Sequence, residues 1–348
     1  MQKEYKKFKK KDYSSFILGA DIGGTNCNFG IFGIKRKNPE LLLSFHFNSR
    51  ELEGLHYSIN EILAYMQKNR RIKITKACIA VAGIISPKKD FALTQNVPWN
   101  ISKNELLRKT RLKEIILVND FEAVGYGINM LNKKGIFVIK KAQKIPEAPA
   151  AVIGAGTGLG KATLIYNNHL KFYIPLPSEA GHMDFAAQSQ DELELVNFIK
   201  RHKKIKQDIP YELVLSGQGL ENIYLFLRKS RKFKETRYTK EIDKSKNKPE
   251  LISKYRKIDK TCNDAFMVFK LIYAKFARDM AIYSVARGGI YIAGGIAAKN
   301  REIFDKEFVK TFEKNYKVAD VLRKIPIYLI LDHDVGLLGA GFVGSKFL

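Results

Sequence analysis

GADIGGTNCNFGIFG, residues 19–33, follows the apolar run Phe16-Ile17-Leu18 and decides how the chain is read. An acidic residue, two adjacent glycines, Thr and Asn sit between segments that both carry strand-forming side chains. Glycine turns let backbone N–H groups approach phosphate oxygens closely. A bare carboxylate beside a polyanion, however, repels it. Asp21 therefore has two readings: a turn former ahead of Gly23-Gly24, or a carboxylate separated from phosphates by a divalent cation and its water.

The arrangement recurs. AAVIGAGTGLGKATLIYNNHLKFY, residues 150–173, again runs apolar strand, glycine-rich turn, second strand, polar turn. Gly19-Ala20-Asp21 and Gly154-Ala155-Gly156 open the two turns at matching points, an internal repeat that points to duplicated lobes. GAGTGLG does not satisfy G-x-G-x-x-G, because from Gly154 the third required glycine falls on Leu159. The following KATLIY alternates like a strand, so no helix N-terminus is offered to a pyrophosphate. Walker A spacing fails as well, since Lys161 is followed by Ala162. What remains is a glycine hairpin suited to phosphate oxygens, or a plain tight turn.

Between and after these turns the chain alternates strands and helices. LLLSFHF reads as a third strand and residues 56–70 as a helix. KACIAVAG and EIILVND are buried strands, the second running into the helical FEAVGYGINML. The Pro-rich KIPEAPA, residues 144–150, precedes the second glycine turn. Residues 261–287 carry a helical pattern, GGIYIAGGIA and IPIYLILDHD return to strands, and the small-residue VGLLGAGFVG can pack a helix closely on other backbone. The class is α/β, with a basic flexible arm at 1–13, a small lobe at 14–118 completed by about 333–348, and a large lobe at 119–332.

The bulk properties restrict the partners. The 348 residues carry 61 Lys and Arg against 35 Asp and Glu, a net charge of +26. The basic residues concentrate in the first dozen positions and in 228–260. Such a charge attracts polyanions in general and does not by itself define a function. No apolar run reaches the ~18 residues of a membrane span, and no signal-peptide pattern precedes the first strand, so a cytoplasmic location without membrane contact is expected. Cys27, Cys78 and Cys262 lie far apart and imply neither a disulfide framework nor a thiolate metal site.

Two further motifs carry chemistry. LVND puts Asn119 and Asp120 where a strand ends and a helix begins. Asp120 is either a helix cap or a general base for a substrate hydroxyl, the role phosphoryl transfer to an alcohol requires. PSEAGHMDF offers Glu179 and His182, groups that accept from or donate to the hydroxyls of a neutral sugar. His182 is equally readable as a structural histidine.

Taken in order, GADIGGTN, TQNVPWNIS, LVNDFEAV, VIGAGTGLGKA, PSEAGHMDFA, YELVLSGQGLENIY, GGIYIAGGI and HDVGLLGAG resemble the ATP-dependent bacterial-type glucokinases of the sugar kinase, actin and Hsp70 superfamily. The likeness runs from about Phe16 to the C-terminus. It implies two α/β lobes with duplicated ribonuclease-H-like cores flanking a cleft. It assigns ATP contacts to Gly23, Gly24, Thr25, Asn26, Gly154, Gly156, Thr157 and Gly158, with Gly294 and Gly295 against the adenosine. Asp21 then faces the Mg²⁺ of the nucleotide through water. Glucose contacts fall to Asn96, Asn119, Asp120, Glu179, His182 and Glu212, with Asp120 the base for the 6-hydroxyl. SGQG, residues 216–219, shapes the nucleotide side of the large lobe.

The chain departs from the family at Ala180, where glycine is usual, and at Asn28, where Arg is frequent. Ala180 adds a methyl group between two supposed sugar ligands. The Cys-rich zinc motif of the ROK kinases is absent. The resemblance thus implies an ATP:hexose 6-phosphotransferase acting on glucose, with a homodimer allowed. A kinase of another hexose or an amino sugar, and a nucleic-acid-binding regulator on the same fold, are the alternatives.

Overall fold

The computed structural model describes residues 2–94, 97, 99–230 and 235–348. They form two units. The first comprises residues 1–132, 167–177 and 332–348, and the second 133–166 and 178–331.

The first unit is built on a six-stranded sheet in the order Gln2–Glu4, Asn38–Asn48, Asn26–Lys35, Ser15–Ile22, Lys76–Val81, Glu114–Asn119. Ser15–Ile22 and Asn26–Lys35 form the hairpin expected around the first glycine turn, with Asp21 opposite Asn28. The next turn is two residues, Arg36 and Lys37, both at positive φ, between the paired Lys35 and Asn38. Two left-handed central residues match the strand twist of a type I′ hairpin. Lys76–Val81 and Glu114–Asn119 then add in parallel, with the helix Leu55–Arg70 between the antiparallel and parallel parts of the sheet in sequence.

The small-residue segment near the C-terminus forms the helix Val335–Phe347, and it packs as its composition foretold. A Cβ on Gly339 would lie 1.7 Å from the Ala123 carbonyl oxygen, and one on Gly127 would lie 2.1 Å from that of Val335. The helices Asp120–Gly127 and Val335–Phe347 therefore approach nearly backbone to backbone, which side chains would prevent.

The second unit repeats the strand plan. Ala150–Ala155 and Leu159–Asn167 form an antiparallel hairpin, Gly289–Ala293 pairs in parallel with the first of them, and Ile327–Ile330 adds in parallel to that. Ile136–Lys140 closes the edge antiparallel to Ile327–Ile330. The long helix Lys260–Ser284 contributes Phe266, Phe269, Tyr273, Phe276 and their neighbours to this unit's core. The duplicated hairpin-plus-parallel-strand plan supports the duplication read from the two glycine turns.

Two expected boundaries move. Residues 2–13 are not a free arm. Gln2–Glu4 extends the sheet edge, Tyr5 N donates to Leu42 O at 2.9 Å, and Phe8 packs against Tyr13 and Phe16. The apolar and aromatic side chains within the lysine-rich segment give it something to bury, which charge counting overlooks. Residues 119–132 and 167–177 group with the first unit instead of the large lobe. Phe172 meets the Phe342 ring edge-on at 5.0 Å, and Asn129 exchanges hydrogen bonds with the Tyr173 backbone at 2.9 and 3.0 Å.

The basic 228–260 region holds two short helices, Arg237–Lys244 and Lys248–Tyr255, anchored by buried Ile242, Ile252 and Tyr255. The three cysteines are buried free thiols. Among the described residues no helix is long and apolar enough to cross a membrane.

Candidate active site

In the first unit, Asp21 is the penultimate residue of Ser15–Ile22, one residue before the Gly23-Gly24-Thr25 loop. Ser49 braces that loop. Its hydroxyl donates to Gly23 O at 2.7 Å and its amide to Thr25 O at 2.9 Å. Gly23 N donates to Asn26 O at 2.9 Å. With the loop carbonyls engaged, the Gly24 and Thr25 amides have no acceptor among the described residues. A pair of unengaged N–H groups at a turn is what an anion needs.

Two other carboxylates, Asp120 and Asp334, act on Asp21 as like charges. The Asp21 pKa is raised from its ordinary 3.8 to about 7, first by burial and then by the like charges of Asp120 and Asp334. No basic side chain is among the influences on Asp21. Asp21 also abuts the last helix, since a Cβ on Gly336 would come within 2.6 Å of Asp21 Oδ2. Among the described residues no three His, Cys, Asp or Glu side chains are grouped closely enough to hold a metal by themselves. A carboxylate in such surroundings, without a complete protein ligand set, fits a Mg²⁺ that keeps phosphate and water ligands.

The helix-cap question at LVND is settled by geometry. Asn119, not Asp120, is the cap: its Oδ1 accepts from Phe121 N at 2.9 Å and Glu122 N at 3.3 Å, and its Nδ2 donates to Gly83 O at 3.3 Å. The Asn119 side chain thus bonds backbone through both its oxygen and its nitrogen, with one Nδ2 hydrogen left over. Asp120, the first residue of the helix, is part-buried and accepts from Phe121 N at 3.0 Å. Asn96 lies outside the described residues.

In the second unit the glycine hairpin turns at Gly156-Thr157-Gly158, where Gly156 N donates to Gly158 O at 2.8 Å. Thr157 and Gly158 amides have no acceptor among the described residues, as at Gly24 and Thr25. Gly154 is different. It lies within the strand, paired with Gly160 and Ala293, so it belongs to the sheet and not to the phosphate turn.

Gly294 requires glycine twice over: its φ is +97°, and a Cβ would sit 2.7 Å from Ala155 O. Gly156 and Gly295 have open space where a side chain would stand, a cradle that a Cβ would begin to fill. SGQG does border the turn, with Gly217 N donating to Gly156 O at 2.8 Å.

Glu212 reaches the glycine turn. Its Oε2 accepts from Leu159 N at 2.8 Å and lies 2.7 Å from where a Gly158 Cβ would be. It thereby braces the glycine turn from the side. Glu179 and His182 are exposed and adjacent, with Oε2 and Nε2 3.8 Å apart across one 3-10 turn. Gly181 between them sits on backbone, its Cβ position only 2.2 Å from Leu159 O. The Ala180 methyl is buried in the unit's core and does not crowd the exposed pair. Asp334 is assigned no role in the sequence reading, although it stands in HDVGLLGAG, one of the motifs that carry the resemblance, immediately before the small-residue helix.

The described geometry agrees with the comparisons. The glucokinase family model matches residues 18–346. A glucokinase of Nostoc sp. (strain PCC 7120) is 31% identical over 347 residues, covering 95% of this chain and 99% of that protein. The crystal structure of a glucokinase from an Antarctic psychrotroph superposes with TM-score 0.78 at 25% identity, over 95% of this chain and 99% of its own. That of a Balamuthia mandrillaris glucokinase, solved in complex with glucose, gives 0.79 at 19% identity over 95% and 94%. The motif order, the two glycine turns and these full-length matches agree: the chain belongs to the glucokinase family, the enzymes that phosphorylate glucose with ATP.

Proposed function

We propose that the chain transfers the γ-phosphoryl group of ATP to the 6-hydroxyl of glucose, with Asp120 as the general base. The observation that carries this is the division of labour at the helix start. Asn119 caps the helix, so the cap does not depend on the Asp120 carboxylate, whose charge acts on Asp21. An Asp at this point orients the attacking hydroxyl and takes its proton as the new P–O bond forms.

The second unit's exposed Glu179 and His182 suit sugar hydroxyls, one accepting and the other doing either. The amide pairs at Gly24-Thr25 and Thr157-Gly158 suit phosphate oxygens, and the open cradle at Gly156 and Gly295 suits the nucleotide. Glu212 acts by holding the hairpin turn in shape. Mg²⁺ bound with the nucleotide would neutralise phosphate charge, and Asp21 is the residue that would face it. In its absence Asp21 keeps a proton up to about neutral pH.

The test is an ADP-release assay over a panel of hexoses and amino sugars, repeated with ATP, ADP and polyphosphate as donors. Release confined to ATP with glucose supports the proposal. A stronger response to an amino sugar or another hexose reassigns the substrate. Salt-sensitive nucleic-acid binding with no transfer to any sugar overturns it.

A further inference from the structure

Residues 2–13 add a strand to the first unit, and a side chain immediately after that strand reaches the carboxylate cluster. Tyr5 Oη donates to Asp334 Oδ2 at 2.5 Å. Asp334 is the residue before the helix Val335–Phe347, two positions ahead of the Gly336 backbone on which Asp21 rests. Tyr5 is held from both sides. Its amide is bonded to Leu42 O, and Ser44 Oγ lies 3.5 Å from its hydroxyl.

From Ser44 the polar contacts continue to His46 Nε2 at 3.1 Å, and from His46 Nδ1 to Asn28 Oδ1 at 2.7 Å. Asn28 pairs with Asp21 on one strand and with His46 on the other. Residues directly opposite one another in a ladder project to the same face. Asp21, Asn28, His46, Ser44 and Tyr5 therefore line one face of the sheet, and the chain of contacts ends at Asp334.

We propose that Tyr5 is a positioning residue for the phosphoryl-donor site, fixing the Asp334 carboxylate beside Asp21 so that the two present a set geometry to the cation-bound nucleotide. This rests on the reading of Asp21 as the residue facing that cation. Tyr5 touches no reacting atom and acts through Asp334. A hydrogen bond to an ionised acceptor is among the stronger ones a side chain makes, and burial together with Asp334 pushes the Tyr5 pKa up to about 12, so the phenol remains a donor throughout the working range.

The experiment measures Mg-ATP binding by calorimetry without sugar, alongside steady-state kinetics, for Tyr5→Phe, Asp334→Asn, the double variant and Asp21→Asn. Tyr5→Phe keeps the ring and the strand. It is expected to weaken Mg-ATP binding and raise its KM by about 3–10-fold. The glucose KM should stay unchanged, kcat within about twofold, and Tm within about 2 °C. Because Tyr5 works through Asp334, the double variant should bind no more weakly than Asp334→Asn alone.

Wild-type binding by Tyr5→Phe, or additive losses in the double variant, overturns the proposal. Asp21→Asn separates this failure from that of the underlying reading. If Asp21→Asn loses Mg-ATP while Tyr5→Phe keeps it, only the role of Tyr5 is wrong. If Asp21→Asn binds Mg-ATP like the wild type, the cation site itself is misassigned.

Discussion

Asp21→Asn should make the unliganded protein more stable at alkaline pH while disabling it as an enzyme. The unfolded chain gives up the Asp21 proton near pH 4 and the folded chain only near 7. Between these values unfolding releases a proton, so stability falls as the pH rises, and the whole cost is present above 7. A shift of about three units corresponds to roughly 4 kcal/mol as a ceiling, at 1.36 kcal/mol per unit. Asp21 keeps part of its surface open to solvent, which screens its charge and reduces the expectation to about 1–2 kcal/mol at pH 8.

In a protein of this size the gain is roughly 1.5–3 °C in Tm. It should fade towards pH 4, where the native Asp21 carries its proton and is nearly isosteric with Asn. Trp99, the single tryptophan, lies in the first unit with its indole N–H on Leu52 O at 3.1 Å, so its fluorescence follows the unfolding of the unit that holds Asp21. Mg-ATP should stabilise the wild type more than the variant. A variant no more stable than wild type at pH 8, or one stabilised equally at pH 4 and 8, refutes the reasoning.

Asp120→Asn should lower kcat by ~10²–10⁴-fold with circular dichroism and Tm unchanged, because Asn119 still caps the helix; near-normal turnover removes Asp120 from the role of base. Gly294→Ala should destabilise the second unit by about 1–3 kcal/mol, given its positive φ and the nearby Ala155 carbonyl, as read by a thermal melt. Gly295→Ala, facing open space, should leave the melt unaltered and raise the ATP KM; an unchanged KM means no ligand enters that space. Glu212→Ala leaves Leu159 N without its acceptor and should weaken nucleotide binding more than sugar binding. A change confined to the glucose KM returns Glu212 to the sugar.

The sequence by itself determined the features that local chemistry dictates. Glycine pairs between apolar runs produced both hairpins, and the matching order of their motifs exposed the duplication. The run VGLLGAGFVG can pack a helix closely on other backbone, and Gly339 against Ala123 bears that out. The tertiary structure decided the features that depend on which groups meet. Whether Asn119 or Asp120 caps the helix is a matter of side-chain direction, invisible in the letters LVND. Glu212 met the hairpin amide, and Ala180 turned its methyl inward, because burial chose their orientation. The lysine-rich start read as an arm because charge dominates its composition, while Tyr5 and Phe8 find their partners only on the assembled sheet. Asp334 joins Asp21 through the path of the last helix across that sheet, a relation no spacing along the chain could express.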